Sequence, residues 1–199
     1  MRPTAILLVL GTLAASGCTP DWAKQGDSPM LLLITGLGEG VPVQSDVRIS
    51  TGGICPDFVA VRVENHHKNP LAAQSPSGFR GDIVLERYDV RYYRSDGRAT
   101  EGVDVPFAIS GNVSHEIQEG SSAVLNLEVV RRQAKLEPPL RNLASVQGAG
   151  GGGALVVTMF AEITLHARST INQTTNSATG RVQIDFADFG DTLTACPVQ

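Results

Sequence analysis

Apolar and polar residues alternate with a period of two along most of the chain. No dozen-residue stretch holds the three-to-four-residue spacing of an amphipathic helix. The longest alternation begins at Leu155: Leu155, Val157, Met159, Ala161, Ile163, Leu165 and Ala167 fall on one side, and Thr158, Glu162, Thr164, His166 and Arg168 on the other. Successive side chains of a strand point to opposite faces, so this run predicts a long strand with one buried face. After the polar stretch 169–176, Ala178, Val182, Ile184 and Phe186 alternate with Thr179, Arg181, Gln183 and Asp185. Two such runs in succession predict an antiparallel hairpin.

Earlier segments repeat the rhythm. Val59, Val61 and Val63 alternate with Ala60, Arg62 and Glu64, and Val84, Tyr88, Val90 and Tyr92 alternate with Arg87, Asp89 and Arg91. Ser95-Asp96-Gly97 supplies a turn. Val103, Val105, Phe107 and Ile109 alternate next, and Pro106, which lacks an amide donor, assigns that strand to an edge or a bulge. Leu125, Leu127 and Val129 mark a further strand, and residues 30–35 and 43–50 are the expected opening strands. The nearest approach to a helix is 133–143, which Pro138-Pro139 interrupts, and the glycine-rich segment 148–153 reads as a loop.

Seven to eight strands without alternating helices predict an all-β fold. The expected architecture is a two-sheet antiparallel sandwich, immunoglobulin-like or fibronectin-III-like, with an eight-stranded barrel as the competing one. The single tryptophan, Trp22, falls outside the strands, so the Cys-Trp-Cys core of antibody domains is absent.

The first residues carry a different pattern. Met1 and Arg2 precede an apolar run from Ala5 to Leu10, and Leu13-Ala14-Ala15-Ser16-Gly17-Cys18 follows. This order is similar to the signal peptide and lipobox of a bacterial lipoprotein precursor. The likeness implies removal of residues 1–17, acylation of Cys18, a polar tether over 18–29 and a β-sandwich domain over 30–199. Thr19 in place of aspartate after that cysteine favours the outer membrane. The apolar run is shorter than the ~20 residues a spanning helix needs. An ordinary secretory cut near Ala15-Ser16-Gly17 is the alternative.

Two cysteines remain, Cys55 and Cys196, and in an oxidising compartment they are expected to pair, separate buried thiols being the alternative. The formal charge of −4 comes with no basic stripe, which argues against a nucleic-acid partner. Glu86-Arg87-Tyr88-Asp89-Val90-Arg91-Tyr92, Gly102-Val103-Asp104-Val105-Pro106-Phe107 and Asp185-Phe186-Ala187-Asp188-Phe189-Gly190-Asp191 resemble segments of predicted bacterial lipoproteins of unassigned function. That resemblance implies an envelope location and carries no activity with it.

Each catalytic or metal pattern is incomplete. There is no G-x-S-x-G elbow, and His115-Glu116 lacks the second histidine of a zincin helix, Glu119 standing there instead. His66-His67 would point to opposite faces of a strand. The glycine run lacks the Lys-Ser/Thr of a P-loop. Asp185, Asp188 and Asp191 recur every third residue and offer oxygen ligands to Ca²⁺, without an EF-hand spacing. The expected function is therefore a non-enzymatic, membrane-anchored envelope lipoprotein with no cofactor and no catalytic residue. Its edge strands and loops would bind an envelope protein or glycan. A small-ligand or Ca²⁺-binding module is the alternative. An enzyme with dispersed residues would instead show a deep pocket holding His166 or His115 beside a carboxylate.

Overall fold

A computed structural model describes residues 28–49, 51–69, 71, 81–144, 155–189 and 195–196. Eight strands follow one another: β1 (Met30–Leu37), β2 (Val43–Asp46), β3 (Asp57–His67), β4 (Ile83–Arg94), β5 (Ile109–Ile117), β6 (Ser122–Val130), β7 (Val157–Ser169) and β8 (Thr175–Ala187). A five-residue helix, α1 (Arg132–Leu136), and a 3₁₀ turn at Leu140–Asn142 flank the cis Pro138-Pro139 bond. The strands form two sheets, ordered β1-β3-β6 and β2-β8-β7-β4-β5. Every pairing is antiparallel except that of β2 with β8. Two separate sheets with free edges make a sandwich, and the barrel alternative falls.

Alternation explains the core. Val59, Val61 and Val63 on β3 and Leu125, Leu127 and Val129 on β6 face Val90, Tyr92, Ile163, Leu165, Ile184 and Phe186 across the gap. Two of the three tyrosines of β4, Tyr88 and Tyr92, turn their rings into the core, and both polar tips find acceptors on the opposite sheet. Tyr88 donates to the Glu128 carbonyl at 3.2 Å and Tyr92 donates to the Val129 carbonyl. Burial pushes both phenols up from their ordinary value, so they remain donors. Buried Asn65 performs a similar tie at the other end, its Nδ2 donating to the carbonyls of Gly81 at 2.8 Å and Ile117 at 3.0 Å.

The opening segment changes sheets. β1 bulges between Ile34 and Gly36, and β2 then joins the opposite sheet alongside β8. Gly180 makes room for that crossing, because a Cβ there would sit 2.7 Å from Leu37 Cδ1. The ladder of β2 ends at Asp46, short of the expected residue 50.

The expected strand through Val103, Val105 and Phe107 is a turn instead. The Thr100 carbonyl accepts from the amides of Val103, Asp104 and Val105, and Gly102 donates back to Val105 at 2.8 Å. These local bonds replace a ladder, burying Val105 and leaving Val103 and Phe107 exposed. An edge strand does follow, but it starts at Ile109 and runs through the polar residues to Ile117. Pro106 thus stands ahead of the strand, where its missing donor costs no ladder bond.

The disulfide is formed. Cys55, buried just before β3, bonds to the exposed Cys196, with the Cα atoms 5.3 Å apart. It fixes residue 196, beyond the end of β8, against the β2–β3 connection. Cys18, Trp22, the leader and the glycine segment 148–153 lie outside the described residues.

Candidate interaction site

Strand direction gives the sandwich two unlike ends. Ser28 enters at the end where β3 and β7 finish and β6 and β8 begin. It is buried there, its hydroxyl accepting from Asn176 Nδ2 at 2.9 Å and from the Met30 amide at 3.2 Å. At the opposite end β1, β4, β6 and β8 finish and β3, β5 and β7 begin, with α1 and the disulfide beside them. Nine large apolar side chains are exposed among the described residues. Six of them, Val41, Val103, Phe107, Leu136, Leu155 and Val156, belong to segments at this far end, against Leu71 and Ile171 near Ser28 and Val124 midway along the outer face of the smaller sheet. Scattered exposed apolar residues need no explanation, but a bias toward one end marks that end for contact.

A cleft of about 110 Å³ opens there, lined by Pro106, Phe107, Ala108, Ile109, Arg131, Gln133, Ala134, Glu137 and Pro138. Its two walls are the start of β5 and the helix α1. The helix has five residues, too few to be stable alone. It is held by Lys135, whose wholly buried side chain donates from Nζ to the Asp46 carbonyl at 2.8 Å and meets Asp57 Oδ2 at 2.8 Å. Asp57 also accepts from the Ser45 hydroxyl at 2.5 Å. Burial raises the Asp57 carboxyl above its ordinary value, with Lys135 opposing the rise. A lysine thus carries α1 onto β2 and β3, and that sets the cleft's second wall. Nothing in the sequence singled out Lys135, because an isolated lysine between short apolar residues reads as a surface cation. A second cleft, of about 350 Å³, lies at the same end between the β1–β2 turn and Phe58, Ala60 and Asn126.

β5 is the last strand of its sheet, so one backbone edge faces no strand. Arg131 Nη2 donates to the Ser110 carbonyl at 2.7 Å. The Ser110 side chain meets that of Asp89 directly across the pair, as expected of a non-hydrogen-bonded pair, whose amide and carbonyl point outward. By the same alternation Asn112 points its backbone outward too. Gly111 between them is required by Tyr88, whose ring would lie 2.2 Å from an added Cβ.

The outer face of the five-stranded sheet brings together residues the sequence treated singly. His166 on β7 lies 2.8 Å from Asp89 on β4, and the Ser110 hydroxyl donates to the other carboxylate oxygen. The Ser110 bond, then His166 and Arg87, holds Asp89 below its ordinary value. The carboxylate stands between hydroxyl and imidazole, so His166 is not placed to take the serine proton, the step a hydrolytic triad requires. This cluster occupies the open sheet face and lines neither cleft. Further along, Arg181 bonds Glu162 at 2.9 Å and lies over the ring of Tyr93, which stacks on Phe160. Glu86 pairs with Arg168, which holds its carboxyl low.

The other candidates separate. His115 is exposed on β5, a strand and not a helix, and His66 and His67 stand at the end of β3 with His66 paired to Glu64 at 2.8 Å. Asp185 accepts from Thr158 Oγ1 at 2.7 Å and Gln183 Nε2 at 3.0 Å. Asp191 lies outside the described residues, and no group of three His, Cys, Asp or Glu suited to a metal occurs among the described ones. No protein-family model matches this chain, and no curated protein matches it.

Proposed function

We propose that the chain is a non-enzymatic envelope lipoprotein, anchored through acylated Cys18 at a bacterial outer membrane, whose sandwich serves as a binding or scaffolding module for another envelope component. The observation that carries this reading is the polarity of the fold. The chain reaches the sandwich at the Ser28 end, whereas exposed apolar side chains and the apolar cleft gather at the other. A lipid attached ten residues before Ser28 would set the first end toward the bilayer and present the second to a partner. Two or three acyl chains give a stable anchor where a single chain is marginal, since each buried methylene contributes ~0.8 kcal/mol. The Ser110–Asp89–His166 order supports the non-enzymatic part, because the imidazole meets the carboxylate and not the hydroxyl, unlike a hydrolytic triad.

The test is the intact mass and detergent partitioning of the native product from membranes. The expected product begins at Cys18, carries acyl chains and enters the detergent phase, while Cys18→Ser moves the chain to the aqueous phase. A retained leader or an unmodified Cys18 thiol would overturn the anchor.

A further inference from the structure

From the far end of the sandwich we infer that the open edge of β5 and the adjoining cleft form a docking groove for an extended peptide segment of a partner protein. The segment adds as a sixth strand beyond β5, places one branched apolar side chain in the cleft, and carries an acidic residue next to it. This rests on the binding-module reading above and names the partner's chemistry; it is independent of whether Cys18 is acylated.

Three observations converge. The edge supplies the backbone groups of Ser110 and Asn112, pointing away from β4 and two residues apart, the spacing at which a neighbouring antiparallel strand pairs. β5 contains no proline and no lysine, two of the usual guards of an exposed edge, and the irregularity of its ladder with β4, between Leu85 and Arg87, lies past Asn112. Beside the first of these groups lies the cleft, walled by Phe107, Ile109, Ala134 and Pro138. At about 110 Å³ it is smaller than the ~150 Å³ apolar cavity that admits benzene, which suits one aliphatic side chain and not an aromatic one.

The charge at the junction selects the third element. Arg131 is exposed, forms no ion pair among the described residues, and spends its guanidinium on the Ser110 carbonyl. An incoming strand amide replaces that donor. The released guanidinium then lies at the groove's mouth, and a carboxylate on the peptide is its natural partner. Glu137, the acidic residue of the cleft wall, accepts from Gln133 Nε2 at 2.6 Å and keeps its charge, which confines the peptide carboxylate to the Arg131 side of the groove.

The experiment uses the full chain in detergent and a fluorescein-labelled capped octapeptide of alternating threonine and valine with one leucine and one adjacent aspartate. Controls are the same peptide N-methylated at alternate amides, and the same peptide with asparagine for aspartate. The expected result is saturable anisotropy with the first peptide, none with the N-methylated one, and slowed backbone exchange within residues 109–116. Asn112→Pro, which removes an outward amide, and Ala134→Leu, which fills the cleft, each weaken binding at least tenfold. Arg131→Ala, a surface change, abolishes the preference for aspartate over asparagine. The inference is overturned by absent saturation, by protection confined to another strand, or by binding that neither Asn112→Pro nor Ala134→Leu alters. Sedimentation showing a dimer that Asn112→Pro dissociates would assign the edge to a second copy and overturn it as well. None of these outcomes bears on the mass of Cys18, so failure here and failure of the anchor are read separately.

Discussion

Replacing Lys135 by methionine removes the buried cation that joins α1 to β2 and β3, while keeping the length and apolar stem of the side chain. In the native protein the Nζ group is completely buried and serves two acceptors, the Asp57 carboxylate and the Asp46 carbonyl. Truncating one partner of a buried pair leaves the other charge uncompensated, which costs about 3–5 kcal/mol. For a domain of this size each kcal/mol moves the midpoint by about 2–4 °C, so Tm should fall by about 6–20 °C. Asp57→Asn in the same chain should return part of that loss, because a neutral amide no longer needs a cation. Urea denaturation of the wild type, both single variants and the double variant closes the cycle.

The pH dependence has a definite sign. Burial raises Asp57 above its ordinary value of 3.8, so the folded state holds that proton more tightly than the unfolded chain does. Its stabilising contribution is complete below the unfolded value and is lost as pH rises through the folded one. Without Lys135 the folded value climbs further, and the deficit of Lys135→Met should grow as pH rises above the ordinary carboxylate value. A deficit under about 1 kcal/mol at neutral pH, or strict additivity of the two substitutions, would refute a coupled buried pair.

Reduction of the Cys55–Cys196 bridge opens a link between residues 141 apart, for which chain entropy gives an upper estimate of about 5 kcal/mol. Calorimetry with and without reductant should show Tm lower by up to about 20 °C, and an unchanged Tm would mean that the bridge holds no part of the cooperative unit. Gly111→Ala drives a methyl into the Tyr88 ring and should destabilise by about 1–3 kcal/mol. Adding Tyr88→Ala should make the two losses less than additive in chemical denaturation, and full additivity would show that the ring is not what requires glycine.

The strand rhythm by itself determined the all-β class, the middle of β3 and most of β4, β7 and β8, and it left sandwich and barrel both open. A period of two leaves only one way to bury a face, and repeating it eight times leaves few architectures. Pairing of Cys55 with Cys196 was legible because only two cysteines remained for the domain. The polar β5 was not legible: Ile109 and Ile117 are its only fully buried side chains, and an edge strand shows little apolar periodicity. The turn at 100–105 imitated a strand because Val103, Val105 and Phe107 alternate, yet the Thr100 carbonyl captured three of their neighbouring amides. Only tertiary structure placed His166, Asp89 and Ser110 together, from three strands, with the bonded partners 21 and 77 positions apart in the chain. It alone seated Lys135 on Asp57 and so built the cleft. Sequence periodicity reports which side of one element is dry; it carries no information about which elements meet at an end, and that is where this protein gathers its exposed apolar surface.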